Sequence, residues 1–402
     1  MSSIATLLEA AEYIERCERE TKWQDLPDEL ILKILSYSEV IDLISCGEVS
    51  KRTRNISYDS SLWAMANFEE KIVKTELLEL ILSKGCKILN ISNSKIVGSW
   101  GSNIKSQLRV LNLSQFNPGF PNAQVNYEEN IDALEALLFS CCSLQHLKLK
   151  CLRITPKMAV SICKNGNTLQ TLHLNHSFID ESSYPLYIDY NVHVGNFEAI
   201  IKSCQELKEV DLNFLSNKPN YVEGGLTDDR LEFLAKNITP NVETLKLRNH
   251  DFLFDHFKTL LSRLKKIKTL SLEAYYMTDD SLRYIRQYLN LTLEELSLAD
   301  DGVHNNIDRT RCISFSGLLE LKSMPKLKIL KLYNTDNYCE GIQNLRQHLP
   351  HIKISGHICA HLQLGNPYKE IQPNFDDLCR RKPAMKTWMI PFLMGPVKNI
   401  LK

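Results

Sequence analysis

The stretch Leu144-Gln-His-Leu147-Lys-Leu149 states a grammar, Leu-x-x-Leu-x-Leu, that the rest of the chain repeats. It recurs as Leu108-Arg-Val-Leu111-Asn-Leu113, Leu169-Gln-Thr-Leu172-His-Leu174, Leu207-Lys-Glu-Val210-Asp-Leu212 and Val242-Glu-Thr-Leu245-Lys-Leu247. Further copies read Ile267-Lys-Thr-Leu270-Ser-Leu272, Leu293-Glu-Glu-Leu296-Ser-Leu298 and Leu327-Lys-Ile-Leu330-Lys-Leu332. Weaker ones close the series at both ends, Cys86-Lys-Ile-Leu89-Asn-Ile91 and Leu349-Pro-His-Ile352-Lys-Ile354. Successive phrases start 22 to 38 residues apart, a spacing at which one short supersecondary unit stacks on the next. In an extended chain alternate residues face opposite sides, so the leucines of a phrase point one way and the residues between them the other.

Helical periodicity fills the intervals. Stretches 131–139, 197–201, 229–235 and 281–289 carry apolar residues at i, i+3 and i+4, and Thr227 and Thr278, each followed by two aspartates, supply cap oxygens and first-turn acids. Longer intervals hold insertions at 115–130, 182–194, 216–225 and 300–314, the first two rich in turn formers. The phrase resembles the leucine-rich repeat. The fold class this implies is α/β: a horseshoe-shaped solenoid with a parallel sheet on the concave side and helices on the convex side, over residues 68–355. Residues 356–402, with five prolines, read as a cap and tail, and residues 1–22 as an acidic amphipathic helix.

Composition narrows the function. Lys and Arg total 48 and Asp and Glu total 48, so no net field recruits nucleic acid or a membrane. No apolar run reaches the roughly 18–20 residues that span a bilayer. The 12 cysteines lack paired spacing, and Cys141, Cys142, Cys163 and Cys204 stand where a small apolar side chain would pack between layers. Reduced thiols in cytoplasm or nucleus are expected. Neither a phosphate-binding loop nor Gly-x-Ser-x-Gly nor His-Glu-x-x-His occurs, so the chain is expected to be non-catalytic and to need no cofactor.

Ahead of the repeats, residues 23–67 differ in character: Asp25-Leu-Pro-Asp-Glu-Leu-Ile-Leu-Lys-Ile-Leu-Ser-Tyr37, Asp42-Leu43, Val49-Ser-Lys-Arg-Thr-Arg54 and Leu62-Trp63. Pro27 suits the first position of a helix and Asp28 and Glu29 its positive end. Three short helices make a marginal core that gains by burying a surplus apolar stripe on a partner. This stretch resembles the F-box along nearly its whole length, apart from Thr53 where the family usually carries Trp. F-box followed by leucine-rich repeats resembles the substrate receptors of SCF-type cullin–RING ubiquitin ligases. The resemblance implies docking on the SCF adaptor subunit and, through it, on cullin and RING proteins, while the repeats hold a protein substrate for ubiquitination. Expected adaptor contacts are Leu26, Pro27, Leu30, Ile31, Ile34, Leu35, Leu43 and Val49, with Trp63 closing the module against the first repeat. The alternative is a repeat scaffold unconnected with ubiquitination, its N-terminal helices serving only as a cap.

Substrate-binding candidates are the residues between the leucines: Lys148, Lys150, His173, Asn175, Asp211, Lys246, Arg248, Glu273 and Tyr333. Their cations form two positive spots that would suit an acidic or phosphorylated segment. Asp211, Glu273 and Glu295 dilute that field, and a solvated polar face without phosphate preference is the favoured reading. His348, His351, His357, Cys359 and His361 cluster near the end without the spacing of a zinc site, and read as capping-layer residues rather than metal ligands.

Overall fold

The computed structural model describes residues 23–101, 105–114, 127–150, 152, 154–174, 190–212, 228–251, 254–300, 313–333 and 345–357. These fall into two compact units, 23–67 with 84–86, and 68–83 with 87–357. The expected helix 1–22 lies outside the described residues, as does the expected cap and tail 356–402, Cys359 and His361 included, except for residues 356 and 357, which end the last strand and so extend the repeats two residues past 355.

In the second unit all ten phrases are strands: Ile88–Asn90, Val110–Asn112, His146–Lys148, Thr171–His173, Glu209–Leu212, Thr244–Asp251, Thr269–Tyr276, Glu295–Asp300, Ile329–Tyr333 and Lys353–His357. They form one parallel sheet in chain order, which makes this unit an α/β solenoid. Its register follows the phrase. The fourth-position residues Leu89, Leu111, Leu147, Leu172, Val210, Leu245, Leu270, Leu296, Leu330 and Ile354 stand beside one another across the sheet. All ten are buried, so each repeat contributes one leucine-sized layer to a continuous core, worth about 1.5–3 kcal/mol per side chain removed from water. A one-residue slip of any strand would turn its layer to solvent, which is why the register holds through irregular spacings.

Helices return the chain between strands: Tyr127–Ser140, Pro156–Lys164, Tyr190–Ser203, Asp228–Asn237, Phe254–Arg263 and Asp279–Leu289. Thr155 caps one of them, its hydroxyl accepting the Met158 amide at 3.2 Å, with Pro156 at the first helical position. Thr278 occupies the expected N-cap position, while Thr227 lies outside the described residues. Two helices start earlier than periodicity indicates, at Tyr127 and Tyr190, inside stretches read as insertions. Polar Asn, Glu and Tyr in their first turns hide the amphipathic pattern there.

Repeats are also pinned by side chains. Asn165, only 1% exposed, donates from Nδ2 to the Cys141 carbonyl at 3.1 Å and the Ser161 carbonyl at 2.9 Å, and accepts the Leu144 amide at 2.9 Å. It thereby ends its own helix and fastens the preceding turn. Cys141 and Cys204 pack between layers as expected, with burial pushing each thiol up to about 12. Cys142 does not: it is exposed, because its neighbour Cys141 takes the inward place. The ring of His348 lies edge-on to Phe315 at 5.9 Å.

Candidate functional site

The first unit contains helices Asp28–Leu35, Val40–Val49 and Lys51–Ser57, then a 3-10 turn Ser60–Trp63. Pro27 is the N-cap rather than the first helical residue; its fixed φ serves either place, and ψ 150° sets it as the extended residue before the turn. Trp63 is buried, stacks on Tyr58 with ring centroids 5.8 Å apart, and donates its indole N–H to the Ser57 carbonyl at 2.8 Å. The Lys84 ammonium lies over the other aromatic of that pair, 4.4 Å from the Tyr58 ring centre.

Burial divides the expected adaptor contacts. Ile31, Leu35, Leu43 and Trp63 are at most 1% exposed and build the module's own core, so they cannot also present a surface. The reason is geometric: Ile31 and Leu35 are four apart, on the helix face that turns inward. Leu26 and Ile34 are half-buried, and Pro27 is exposed. Leu30 is 51% exposed and Val49 72%, and they are the side chains available to a partner. Sequence reasoning missed Ile41, 41% exposed, which shares a helix face with exposed Ser45 and Val49 at i, i+4 and i+8. Of the pair Val40-Ile41 only one can face inward, and Val40 does.

Thr53, the departure from the family pattern, is buried and bonded to Ser50 Oγ at 2.9 Å. Ser50 in turn accepts the Thr53 amide at 3.0 Å as N-cap of the third helix. The position that usually holds an aromatic has become part of a helix cap. From the next position back, Arg52 donates to Asp28 Oδ1 at 2.8 Å and to the carbonyls of Gln24 and Leu26, each at 2.6 Å. Nothing in the sequence pairs residues 24 to 28 apart.

On the outward face of the second unit's sheet, Lys148, His173, Asp211 and Lys246 occupy one register row. Arg248, Glu273, Ala299 and Tyr333 occupy the row above. Lys150 follows its strand and is half-buried, and Asn175 lies outside the described residues. Lys246 and Arg248 are already matched by carboxylates, and His173 and Lys331 also lie beside one. Lys246 Nζ is 3.6 Å from Asp211 Oδ2, Arg248 Nε 3.5 Å from Glu273 Oε1, His173 Nε2 3.0 Å from Glu209 Oε1 and Lys331 Nζ 2.6 Å from Glu295 Oε1. The hydrogen bond from His173 holds the Glu209 carboxyl below its usual range, while burial lifts Glu273 above it against the opposing pull of Arg248. Burial lowers His146, whose Nδ1 lies 2.9 Å from the Thr171 hydroxyl. Such a face is polar and locally neutral. It offers hydrogen bonds and exchangeable ion pairs rather than an uncompensated pocket for phosphate.

Comparison with known proteins agrees with both units. Residues 23–69 match the F-box-like family model. The chain is also similar to F-box/LRR-repeat protein 21 of Bos taurus, 24% identical over 262 residues. That match covers 58% of this chain and 57% of the relative, little more than half of either. With exposed apolar residues on an F-box-like helical module and ten in-register leucine-rich strands after it, the chain has a layout similar to that of F-box/leucine-rich-repeat proteins.

Proposed function

We propose that this protein is the substrate-recognition subunit of an SCF-type cullin–RING ubiquitin ligase. The F-box module docks on the adaptor subunit, and the solenoid holds a protein substrate. The observation that carries the reading is the exposure of Leu30, Ile41 and Val49 on a module whose core is already formed by Ile31, Leu35, Leu43 and Trp63. Full burial of an exposed side chain of this size is worth about 1.5–3 kcal/mol, so Val49 would gain most of that against a partner and the half-exposed Leu30 and Ile41 about half of it each.

In this reading the chain contributes no chemical step. Tethering raises the effective concentration of a substrate lysine at the ligase's ubiquitin-loaded enzyme, and the acceleration comes from proximity. The substrate surface is the sheet face on which His173, Lys246, Glu273 and Tyr333 are half-buried and accessible, while Lys148, Asp211 and Arg248 are buried beneath it and act by setting its charge. The free cysteines among the described residues suit the reducing cytoplasm or nucleus, where such ligases work.

The test is co-purification of the full chain with the adaptor, comparing wild type with Leu30→Asp combined with Val49→Asp. Both side chains are exposed, so the fold should survive, as circular dichroism would report. Loss of buried anchors of this kind costs roughly 2–4 kcal/mol, about 30- to 1,000-fold in affinity. Equal recovery of the adaptor with both proteins would rule the docking assignment out.

A further inference from the structure

We propose that Arg52 is the residue that positions the adaptor-docking edge of the F-box module, an inference that rests on the docking function proposed above. The first helix, Asp28–Leu35, carries Leu30 but has no side-chain N-cap, since Pro27 occupies the cap position and offers none. The chain entering it, the 3-10 turn Trp23–Asp25 and Leu26, buries no residue of its own. What holds this entry is a guanidinium from a different helix. Arg52 Nη1 donates to the Gln24 carbonyl at 2.6 Å, Nη2 to the Leu26 carbonyl at 2.6 Å, and Nε to Asp28 Oδ1 at 2.8 Å. One planar group thus satisfies two main-chain acceptors and a first-turn carboxylate together, a geometry that only arginine's rigid fork provides.

Arg52 stands three residues after Val49, on the helix Lys51–Ser57. The clamp therefore spans from the segment carrying Leu26 and Leu30 to the segment carrying Val49, the two parts that must meet the adaptor together. Its side chain is 42% exposed and that of Asp28 62%, so removing it opens no cavity and leaves the core of Ile31, Leu35, Leu43 and Trp63 intact. The expected loss is one of pre-organisation. Without the clamp the entry segment occupies its docking-competent position for only a fraction of the time, and apparent affinity falls by that fraction.

The experiment uses the full chain and the purified adaptor, and reads three quantities: dissociation constant, thermal midpoint, and hydrogen exchange of the Leu30 and Ile31 amides, both of which donate to the Pro27 carbonyl at 3.1 Å. Arg52→Ala is expected to weaken binding about tenfold, a competent fraction near one tenth, with the thermal midpoint within a degree or two of wild type. The same variant should exchange those two amides faster. Arg52→Lys keeps the charge but reaches one acceptor at a time, and should recover no more than about threefold of the loss. Asp28→Asn keeps both carbonyl bonds and should stay within about threefold of wild type.

Wild-type affinity in Arg52→Ala would overturn the inference while leaving the docking function standing, provided the Leu30→Asp, Val49→Asp protein still fails to bind. Weakened binding with unchanged exchange at Leu30 and Ile31 would also overturn it, since Arg52 would then touch the adaptor directly. No binding by wild type would remove the docking function and this role with it.

Discussion

Replacing Asn165 by Ala should cost the solenoid more than any surface change in the same repeat. Its side chain is 1% exposed and makes three hydrogen bonds: to the Cys141 carbonyl, the Ser161 carbonyl and from the Leu144 amide. Alanine removes all three partners at a site sealed from water. The Leu144 amide and at least one carbonyl are then left buried and unmatched, at about 1–3 kcal/mol for each stranded group. A loss of roughly 3–5 kcal/mol results, a large share of the 5–15 kcal/mol by which folded domains exceed their unfolded chains. Asn165→Asp separates hydrogen bonding from volume. Its carboxylate can still accept from Leu144 but turns lone pairs toward two carbonyls, so it should be worse than alanine at neutral pH and improve as acid protonates it. The assay is urea unfolding followed by circular dichroism, paired with hydrogen exchange at Leu144. An alanine variant with an unshifted midpoint and an equally protected Leu144 amide would refute this reasoning.

Other consequences are smaller or differently read. A Cβ on Gly166 would sit 2.3 Å from the Ser203 carbonyl oxygen, so Gly166→Ala must force two repeats apart, at about 1–3 kcal/mol in the same unfolding assay. Acid should weaken the sheet face: the folded Glu209 and His146 both lie below their usual values, so their contributions are complete above the unfolded values and lost as pH falls through the folded ones. For Glu209 that loss begins below the ordinary carboxylate value of 4.5, and for His146 below 6.5. Glu273, raised by burial, has the opposite sign, and Glu273→Gln should flatten its part of a pH titration of melting temperature without adding to the acid loss. Exposed Cys142 should be alkylated in the native protein, whereas Cys141 and Cys204, their thiols pushed up to about 12, should react only on unfolding, as peptide mass mapping would reveal. Lys268→Glu replaces an exposed bridge to Glu243 with repulsion and should lower the melting temperature slightly at low salt and less at high salt.

How much of this was legible in the sequence depends on how far each contact reaches along the chain. The phrase is local and periodic, and it carried the register: every fourth-position residue from Leu89 to Ile354 stands beside its counterpart in the next repeat, whether 22 or 38 residues intervene. The F-box-like module was legible for the same reason, since Leu26 to Tyr37 packs motif and helix into a dozen consecutive residues. Which of its apolar residues face outward was not. An amphipathic stripe wider than one helix face leaves the choice to packing, and packing drew Ile31, Leu35 and Leu43 inward while leaving Leu30, Ile41 and Val49 out.

The contacts that escaped the sequence altogether join residues 20 to 40 apart through side-chain geometry. Arg52 reaches back to Gln24, Leu26 and Asp28, Asn165 to Cys141 and Leu144, and Lys246 to Asp211. None belongs to a period, because the distance in sequence between bonded residues is set by whatever loop intervenes. The same rule decides how the sheet face should be read. Alone, Lys148, Lys246 and Arg248 suggest a positive surface, but parallel in-register strands bring each repeat's residues beside its neighbour's, and the neighbours of Lys246 and Arg248 are Asp211 and Glu273. Charge in a solenoid is therefore a property of adjacent repeats rather than of one phrase. An acidic segment binding here would have to displace carboxylates already in place, losing much of what it gained. Recognition through neutral hydrogen bonds and shape costs no such exchange, so the proposed substrate surface should be indifferent to phosphate unless a carboxylate such as Asp211 or Glu273 is first removed.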